Sequence, residues 1–166
     1  MKKQEYAVAG FTLTELLVAM LILSMTVLCI GGGIVVAKTS YDTISRKSES
    51  QLLLSTAILT INRELRAATN IKDSSGTISF FQQERGYPIS MSNSQDTDTT
   101  IYISAIQDEN MTKIPLVNEK MNSNSLVLQM KDLKFENNVF SYTVFVSYQN
   151  KVLATQSIII RPLNES

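Results

Sequence analysis

Apolar residues fill the amino-terminal part of the chain almost without interruption. From Phe11 to Ala37 the only ionisable groups are Glu15 and the thiol of Cys29. A helix of that length rises about 40 Å, whereas the hydrocarbon core of a bilayer is about 30 Å thick. Residues 11–37 are therefore predicted to form a transmembrane helix. Two lysines before this segment favour a cytoplasmic amino terminus, with the rest of the chain outside the cell membrane.

Beyond the apolar run, hydrophobic residues recur at alternating spacings of four and three. This is the stripe of an amphipathic helix, and it consists of Leu54, Ile58, Ile61, Leu65 and Ala68. No proline precedes Pro88, so the pattern predicts that residues 38–70 continue the membrane helix. The stripe is expected to form part of the core of a head domain.

Three consecutive glycines, Gly31, Gly32 and Gly33, interrupt the apolar run. Each costs about 1 kcal/mol of helix stability relative to alanine. Two interpretations are open. Small residues let neighbouring helices pack closely in lipid, or the three glycines act as a hinge at which the helix bends when subunits stack.

After residue 70 the period changes to the alternation of half-buried strands. The segments rich in β-branched and aromatic residues are TISFFQQ, TIYISAI, SLVLQMK, LKFEN, VFSYTVFVSY and KVLATQSIII. They predict a β-rich head over residues 71–166, and so an α+β fold in which a long helix lies against an antiparallel sheet. The polar stretches 84–100 and 108–125 are expected to be surface loops.

Two hairpins and one core face follow from the same alternation. Asn137-Asn138 and Gln149-Asn150 separate paired runs and tolerate positive φ. The expected core face of VFSYTVFVSY presents Phe140, Tyr142, Val144, Val146 and Tyr148.

The amino-acid composition limits the kinds of chemistry that this chain is expected to perform. Lys plus Arg and Asp plus Glu both total 15, so charge does not indicate nucleic acid as a partner. Histidine is absent, which removes the usual general base and the commonest metal ligand, and Cys29 is the only cysteine. We expect no enzyme, no cofactor and no disulfide within the chain.

Glu15 is the residue that an ordinary membrane anchor does not explain, because a carboxylate at mid-bilayer depth costs roughly 2.5 to 3.5 kcal/mol. The stretch Gly10-Phe11-Thr12-Leu13-Thr14-Glu15, after a short basic leader and before an apolar run, resembles the class III signal of type IV pilins and type II secretion pseudopilins. The resemblance implies that residues 1–10 are a leader, that a prepilin peptidase cuts after Gly10 and that Phe11 becomes an N-methylated terminus. Glu15 then matches the acidic residue of that family.

This resemblance gives Glu15 an assembly role. A terminal amine in or near the membrane is a poorly solvated cation, and the Glu15 carboxylate of a neighbouring subunit can pair with it. The simpler alternative is a carboxylate that reaches the headgroups from an anchor helix. The resemblance also implies the pilin fold, other pilin subunits and a membrane assembly platform as partners, and a surface or periplasmic filament.

The expected function is therefore that of a minor pilin-like subunit of a type IV pilus, type II secretion or competence filament. The helix end INRELRAATNI resembles minor pilins and pseudopilins. A filament tip is not expected, since tip subunits in related systems lack the acid that Glu15 matches. Two alternatives stay open: a filament-borne binding module, such as an adhesin or DNA receptor, and a simple signal-anchored protein.

Three other groups of residues carry weaker signals. Asp96 and Asp98 have the spacing that opens a calcium loop, but no glycine turn or closing glutamate follows, so no metal site is expected. Arg63, Glu64 and Arg66 are expected to form an exposed helix face. Four aromatic residues could form a stacking platform for single-stranded DNA, but they are interpreted as core and rim residues of the head: Phe80, Phe81, Tyr87 and Tyr102.

Overall fold

The chain has the α+β class, with one long helix and two antiparallel sheets in the residues described. The computed structural model describes residues 12–74, 76–107, 110–117 and 125–163. The helix is α1 (Leu13–Arg66), and the strands are β1 (Thr69–Ser74), β2 (Thr77–Phe81), β3 (Pro88–Ser92), β4 (Tyr102–Gln107), β5 (Asn110–Pro115), β6 (Val127–Glu136), β7 (Val139–Tyr148) and β8 (Lys151–Ile160). The sheets have the orders β1-β2-β3-β4-β5 and β6-β7-β8.

The chain divides into two compact units, Met1–Ile44 and Ser45–Ser166. In the first, the described part of α1 is long and apolar enough to cross a membrane by length and composition, and its apolar side chains are exposed. Gly31, Gly32 and Gly33 lie in unbroken helix, and a methyl group on any of them would meet no described atom within 4 Å beyond the adjacent residues and helix backbone. The glycine hinge stays a prediction.

In the second unit, the distal part of α1 shares one core with both sheets. The predicted stripe is buried along its whole length, and Ile61, Leu65 and Ala68 are fully inaccessible to solvent. Leu53 and Ala57 widen it. The amphipathic pattern is thereby confirmed: this part of the helix is stabilised by burying one face against the sheets rather than by helix propensity alone.

The helix ends earlier than the predicted residue 70. It stops at Arg66, and the amide of Ala68 donates to the carbonyl of Leu65 (3.3 Å) in a tight closing turn. The chain then enters β1, where Thr69 pairs with Phe81 of β2 and donates its hydroxyl to that residue's carbonyl (2.9 Å). Backbone pairing with a strand distant in sequence thus replaces the last predicted turn.

Two strands lie where surface loops were predicted. β3 falls within 84–100 and β5 within 108–125, so both predictions were wrong over those residues. In β3, Ile89, Ser90 and Met91 are all buried. Each strand is short and half polar, so it is stabilised by hydrogen bonds from neighbouring strands rather than marked by a local alternation.

The second sheet follows the sequence pattern closely. The predicted strands SLVLQMK and LKFEN form one strand, β6, with an irregularity between Lys131 and Lys134 at Asp132 (φ 56°). Both predicted hairpin turns have left-handed backbone: φ is 52° and 59° at Asn137 and Asn138, and 49° and 62° at Gln149 and Asn150.

The predicted core face of β7 is confirmed for four of its five residues. Phe140, Tyr142, Val144 and Val146 are at most 1 % exposed. Tyr148, at the end of the strand, is half-buried under the guanidinium of Arg46, 4.7 Å from the ring centre. The Tyr142 hydroxyl donates to Asn62 Oδ1 (2.8 Å), and burial raises the pKa of the phenol. This bond joins α1 to β7.

Candidate functional site

The first turn of α1 carries a reciprocal hydrogen-bond arrangement between Thr12 and Glu15. The Thr12 amide donates to Glu15 Oε2 (3.0 Å), and so does the Thr12 hydroxyl (2.9 Å). In return the Glu15 amide donates to Thr12 Oγ1 (3.3 Å). This is a capping box, in which the residue before the helix and the third helical residue satisfy each other's backbone donors.

The capping box fixes where α1 begins. Caps of this kind contribute about 1 kcal/mol, and a carboxylate in the first turn also interacts favourably with the positive end of the helix dipole. Among the described residues, both bonds to the carboxylate end on Oε2. No described residue donates to Oε1, and both Thr12 and Glu15 are exposed.

The predicted processing residues stand next to this arrangement in the sequence. Gly10 and Phe11 lie outside the described residues, so the structure does not test the predicted cut between them. Thr12 is the residue that follows Phe11. The Glu15 carboxylate therefore binds the backbone amide that directly follows the predicted new terminus.

Thr12 is a functional candidate that the sequence reasoning missed. The tetrapeptide Thr12-Leu13-Thr14-Glu15 has the Thr-x-x-Glu form of a capping box directly before an apolar run. That local signal was available. Both interpretations of Glu15 given above, a partner for a neighbouring subunit and a contact with lipid headgroups, place its carboxylate away from its own helix, so neither includes this local hydrogen bond.

A second polar cluster surrounds the end of α1, and it corrects the prediction of an exposed helix face there. Glu64 is only 3 % exposed, whereas Arg63 is 81 % exposed. Arg85 Nη2 lies 2.9 Å from Glu64 Oε1. The Gln82 amide nitrogen donates to Glu64 Oε2 (2.8 Å) and to the Glu64 carbonyl (2.9 Å), while Arg85 Nε donates to Gln82 Oε1 (3.1 Å).

This cluster ties the end of α1 to the connection between β2 and β3. The neighbouring Arg63 Nη2 also lies 3.7 Å from Glu64 Oε1. The other two partners are 18 and 21 residues from Glu64 along the chain, which is why helix periodicity could not reveal them. Among the described residues, no buried side-chain nitrogen or oxygen lacks a hydrogen-bond partner. The cluster is thus internally satisfied, as a structural ion pair requires.

Replacing Glu64 by alanine should destabilise the head strongly. Breaking a buried pair costs about 3–5 kcal/mol, and the lower end applies because water reaches Arg85, which is 29 % exposed. Urea unfolding of the detergent-solubilised chain, followed by near-ultraviolet circular dichroism, measures the change. Arg66→Ala, at an exposed position on the same helix end, is the matched control and should change the free energy of unfolding by less than about 0.5 kcal/mol. Equal effects of the two substitutions would contradict the structural role of Glu64.

The remaining candidate residues are dispersed. Asp98 Oδ2 accepts the Gln95 amide (2.7 Å) and so shapes a turn. In the part of the chain that the structure describes, no three Asp, Glu, Cys or His side chains lie close enough to hold a metal ion.

The four aromatic residues considered for DNA stacking do not share one exposed face. Phe80 is 2 % exposed and belongs to the core, while Phe81, Tyr87 and Tyr102 are half-buried. A base stacks on an accessible ring face, which Phe80 does not offer.

No protein-family model, curated protein or solved structure matches this chain, so its function is inferred from its own residues.

Proposed function

We propose that this chain is a minor pilin-like subunit of an extracytoplasmic filament and acts by assembly rather than by catalysis. The observation that carries the proposal is Glu15: a carboxylate in the first turn of a helix that has no other charged side chain before Lys38. The helix can cross a membrane, and the α+β head is compatible with the pilin fold.

The capping box explains only part of the requirement for an acid. A glutamine at the same place would also complete a capping box, without a charge beside lipid. The helix dipole offsets only part of the cost of a charge beside lipid, so a cation that pairs with the carboxylate adds further stabilisation. The terminal amine of a neighbouring subunit supplies one, and Glu15 Oε1 is the acceptor that the capping box leaves available within the described residues.

The surface around Glu15 suits a neighbouring helix. Thr14, Glu15, Val18, Ala19 and Ile22 line one shallow, mostly apolar groove on α1. In lipid, helices associate through close packing of small side chains and through polar contacts between them. The partners that we propose are other pilin or pseudopilin subunits, which contact this groove, and a membrane assembly platform. A prepilin peptidase acts first.

The predicted processing gives a direct test. The 166-residue chain should lose its first 10 residues in the native membrane and keep 156, beginning at a methylated Phe11. Intact mass and amino-terminal sequencing of membrane material measure this. A terminus near Gly33 would instead indicate an exported protein cut by an ordinary signal peptidase, and retention of Met1 would indicate a simple signal anchor. Either result would overturn the proposal.

A further inference from the structure

Strand β8 forms an unusually unprotected edge of the second sheet. It has ten residues, of which only Lys151 is charged, and it contains no proline or glycine. Proteins usually protect edge strands with charges, proline or a short length. The edge strands of the first sheet show these features: β1 has Lys72 and Asp73, and β5 has Lys113 and Pro115.

The opposite edge of the second sheet, β6, is fully covered. Its outward amides each have a partner from another part of the head. The bonds run from Leu128 to the Thr99 carbonyl (3.0 Å), from Met130 to Ser94 Oγ (3.0 Å), from Leu133 to Asn93 Oδ1 (2.9 Å) and from Phe135 to Asp73 Oδ2 (3.0 Å). β8 is therefore the edge of this sheet that differs.

The covered edge also determines which β8 amides face outward. Because Leu128 and Met130 point away from β7, the residue between them, Gln129, exchanges its hydrogen bonds with Phe145. Backbone groups alternate along a strand, so Val144 points the other way, towards its β8 partner Gln156.

By the same alternation, the outward backbone groups of β8 belong to Thr155, Ser157 and Ile159. No described residue outside the strand pairs with their N–H or C=O groups. All three side chains are exposed, Ile159 to 78 %. The Ser157 hydroxyl contacts Thr143 Oγ1 (3.0 Å) on the face away from the core. Among the described residues, the regular seven-residue edge from Ala154 to Ile160 thus has no partner on its outer side.

We propose that this edge pairs antiparallel with β8 of a second copy of the chain, with Ser157 opposite Ser157. In that register Thr155 of each copy lies opposite Ile159 of the other, on either side of the central Ser157 pair. The backbone N–H and C=O groups of all three pairs point towards the partner strand. They would exchange about six backbone hydrogen bonds. Each β-branched pair would also cover exposed apolar surface.

The charges favour this register of two identical strands. Lys151 and Arg161, which flank the uncharged run, do not lie opposite each other when Ser157 is central. A charged partner strand would gain nothing specific from the uncharged edge, whereas pairing with a second β8 places no two like charges directly opposite each other. Because each copy offers one such edge, the pairing is isologous and stops at a dimer. It does not depend on the proposed filament function.

Cysteine cross-linking tests the register. In a full-length Cys29→Ala chain, Ser157→Cys would place two sulfur-bearing residues about 5.5 Å apart between Cα atoms, within disulfide range. Mild oxidation of membranes should then yield a covalent dimer. Thr155→Cys is the matched control, since Thr155 of the two copies would be separated by about 13 Å along the strands.

We expect roughly tenfold more dimer from Ser157→Cys than from Thr155→Cys, because a disulfide cannot bridge Cα atoms more than about 7 Å apart. Adding Ile159→Cys to Thr155→Cys should restore the dimer. Equal yields from both single variants would show random collision and overturn the proposal. A disulfide between Ser157→Cys and a different protein, in place of the dimer, would do the same.

A second readout does not need cysteines and separates this pairing from helix-driven assembly. Two differently tagged copies, both carrying Glu15→Val, should still co-purify from detergent. Ser157→Lys places two like charges opposite each other and should reduce recovery at least about fivefold, while Ser141→Lys on the same face of β7 should not. If Ser157→Lys instead removed a different co-purifying protein and left the recovery of the tagged copies unchanged, another protein would occupy the edge and self-pairing would be refuted.

Discussion

Glu15→Val should remove this chain from its complex with other filament subunits, while membrane insertion, processing and head folding continue. The substitution makes the helix more apolar, and Glu15 belongs to a compact unit different from the head. Removing one partner of a buried pair costs up to roughly 3–5 kcal/mol, and less where water reaches it. Co-purification of the chain with partner pilins, at matched membrane levels, measures the loss.

The capping box requires two controls for this experiment. Glu15→Val also removes a helix cap worth about 1 kcal/mol. Glu15→Gln retains a capping acceptor without the charge, and Thr12→Ala removes the cap hydroxyl but keeps the carboxylate.

If the charge acts in assembly, Glu15→Gln should fail like Glu15→Val and Thr12→Ala should assemble almost normally. The reverse result would make Glu15 a helix cap only. Equal recovery for all variants would require that the assembly role be abandoned.

Gly10→Val should block processing almost completely. A peptidase that cuts after Gly10 needs close approach to the backbone there, and a branched side chain obstructs it. The longer, unmethylated chain should accumulate in the membrane, visible by its intact mass. Ala9→Val adds the same bulk one residue earlier and should leave most of the chain processed. A Phe11 terminus in Gly10→Val protein would show that the cut has been assigned to the wrong bond.

Much of the fold could be predicted because its determinants are local. The long apolar run with few charges predicts a helix that is long and apolar enough to cross a membrane, and the spacing of Ile58, Ile61 and Leu65 determines which face of α1 is buried. In β7, alternate residues distinguish the core face, and the asparagines at 137 and 138 supply the left-handed turn that precedes it.

The sequence also contained the candidate site at the start of α1, although only half of it was recognised. Glu15 stood out because a charge in an apolar segment has a known energetic cost. The role of Thr12 follows from residues only three positions apart, so no tertiary information was needed to find the capping box.

Tertiary structure alone decided the features whose partners are distant in sequence. In the sequence, Glu64 is a charged residue between the exposed Arg63 and Arg66, and nothing local indicates that it is buried. In the folded chain it contacts Gln82 and Arg85 of the β2–β3 connection. The termination of α1 at Arg66 likewise depends on the pairing of β1 with β2. Hydrogen-bond partners brought together by folding overrode the local helical pattern in both places.

The difference between the two edges of the second sheet has the same origin. By sequence, β6 and β8 are both strands of ten residues, and nothing local shows that one edge is covered and the other open. Asn93 and Ser94 reach β6 from 36 to 40 residues away. The sequence by itself determined the helix, its buried face and the hairpins, because these depend on neighbouring residues. Only the tertiary structure decided which polar groups are paired, since the pairing partners are separated by dozens of residues.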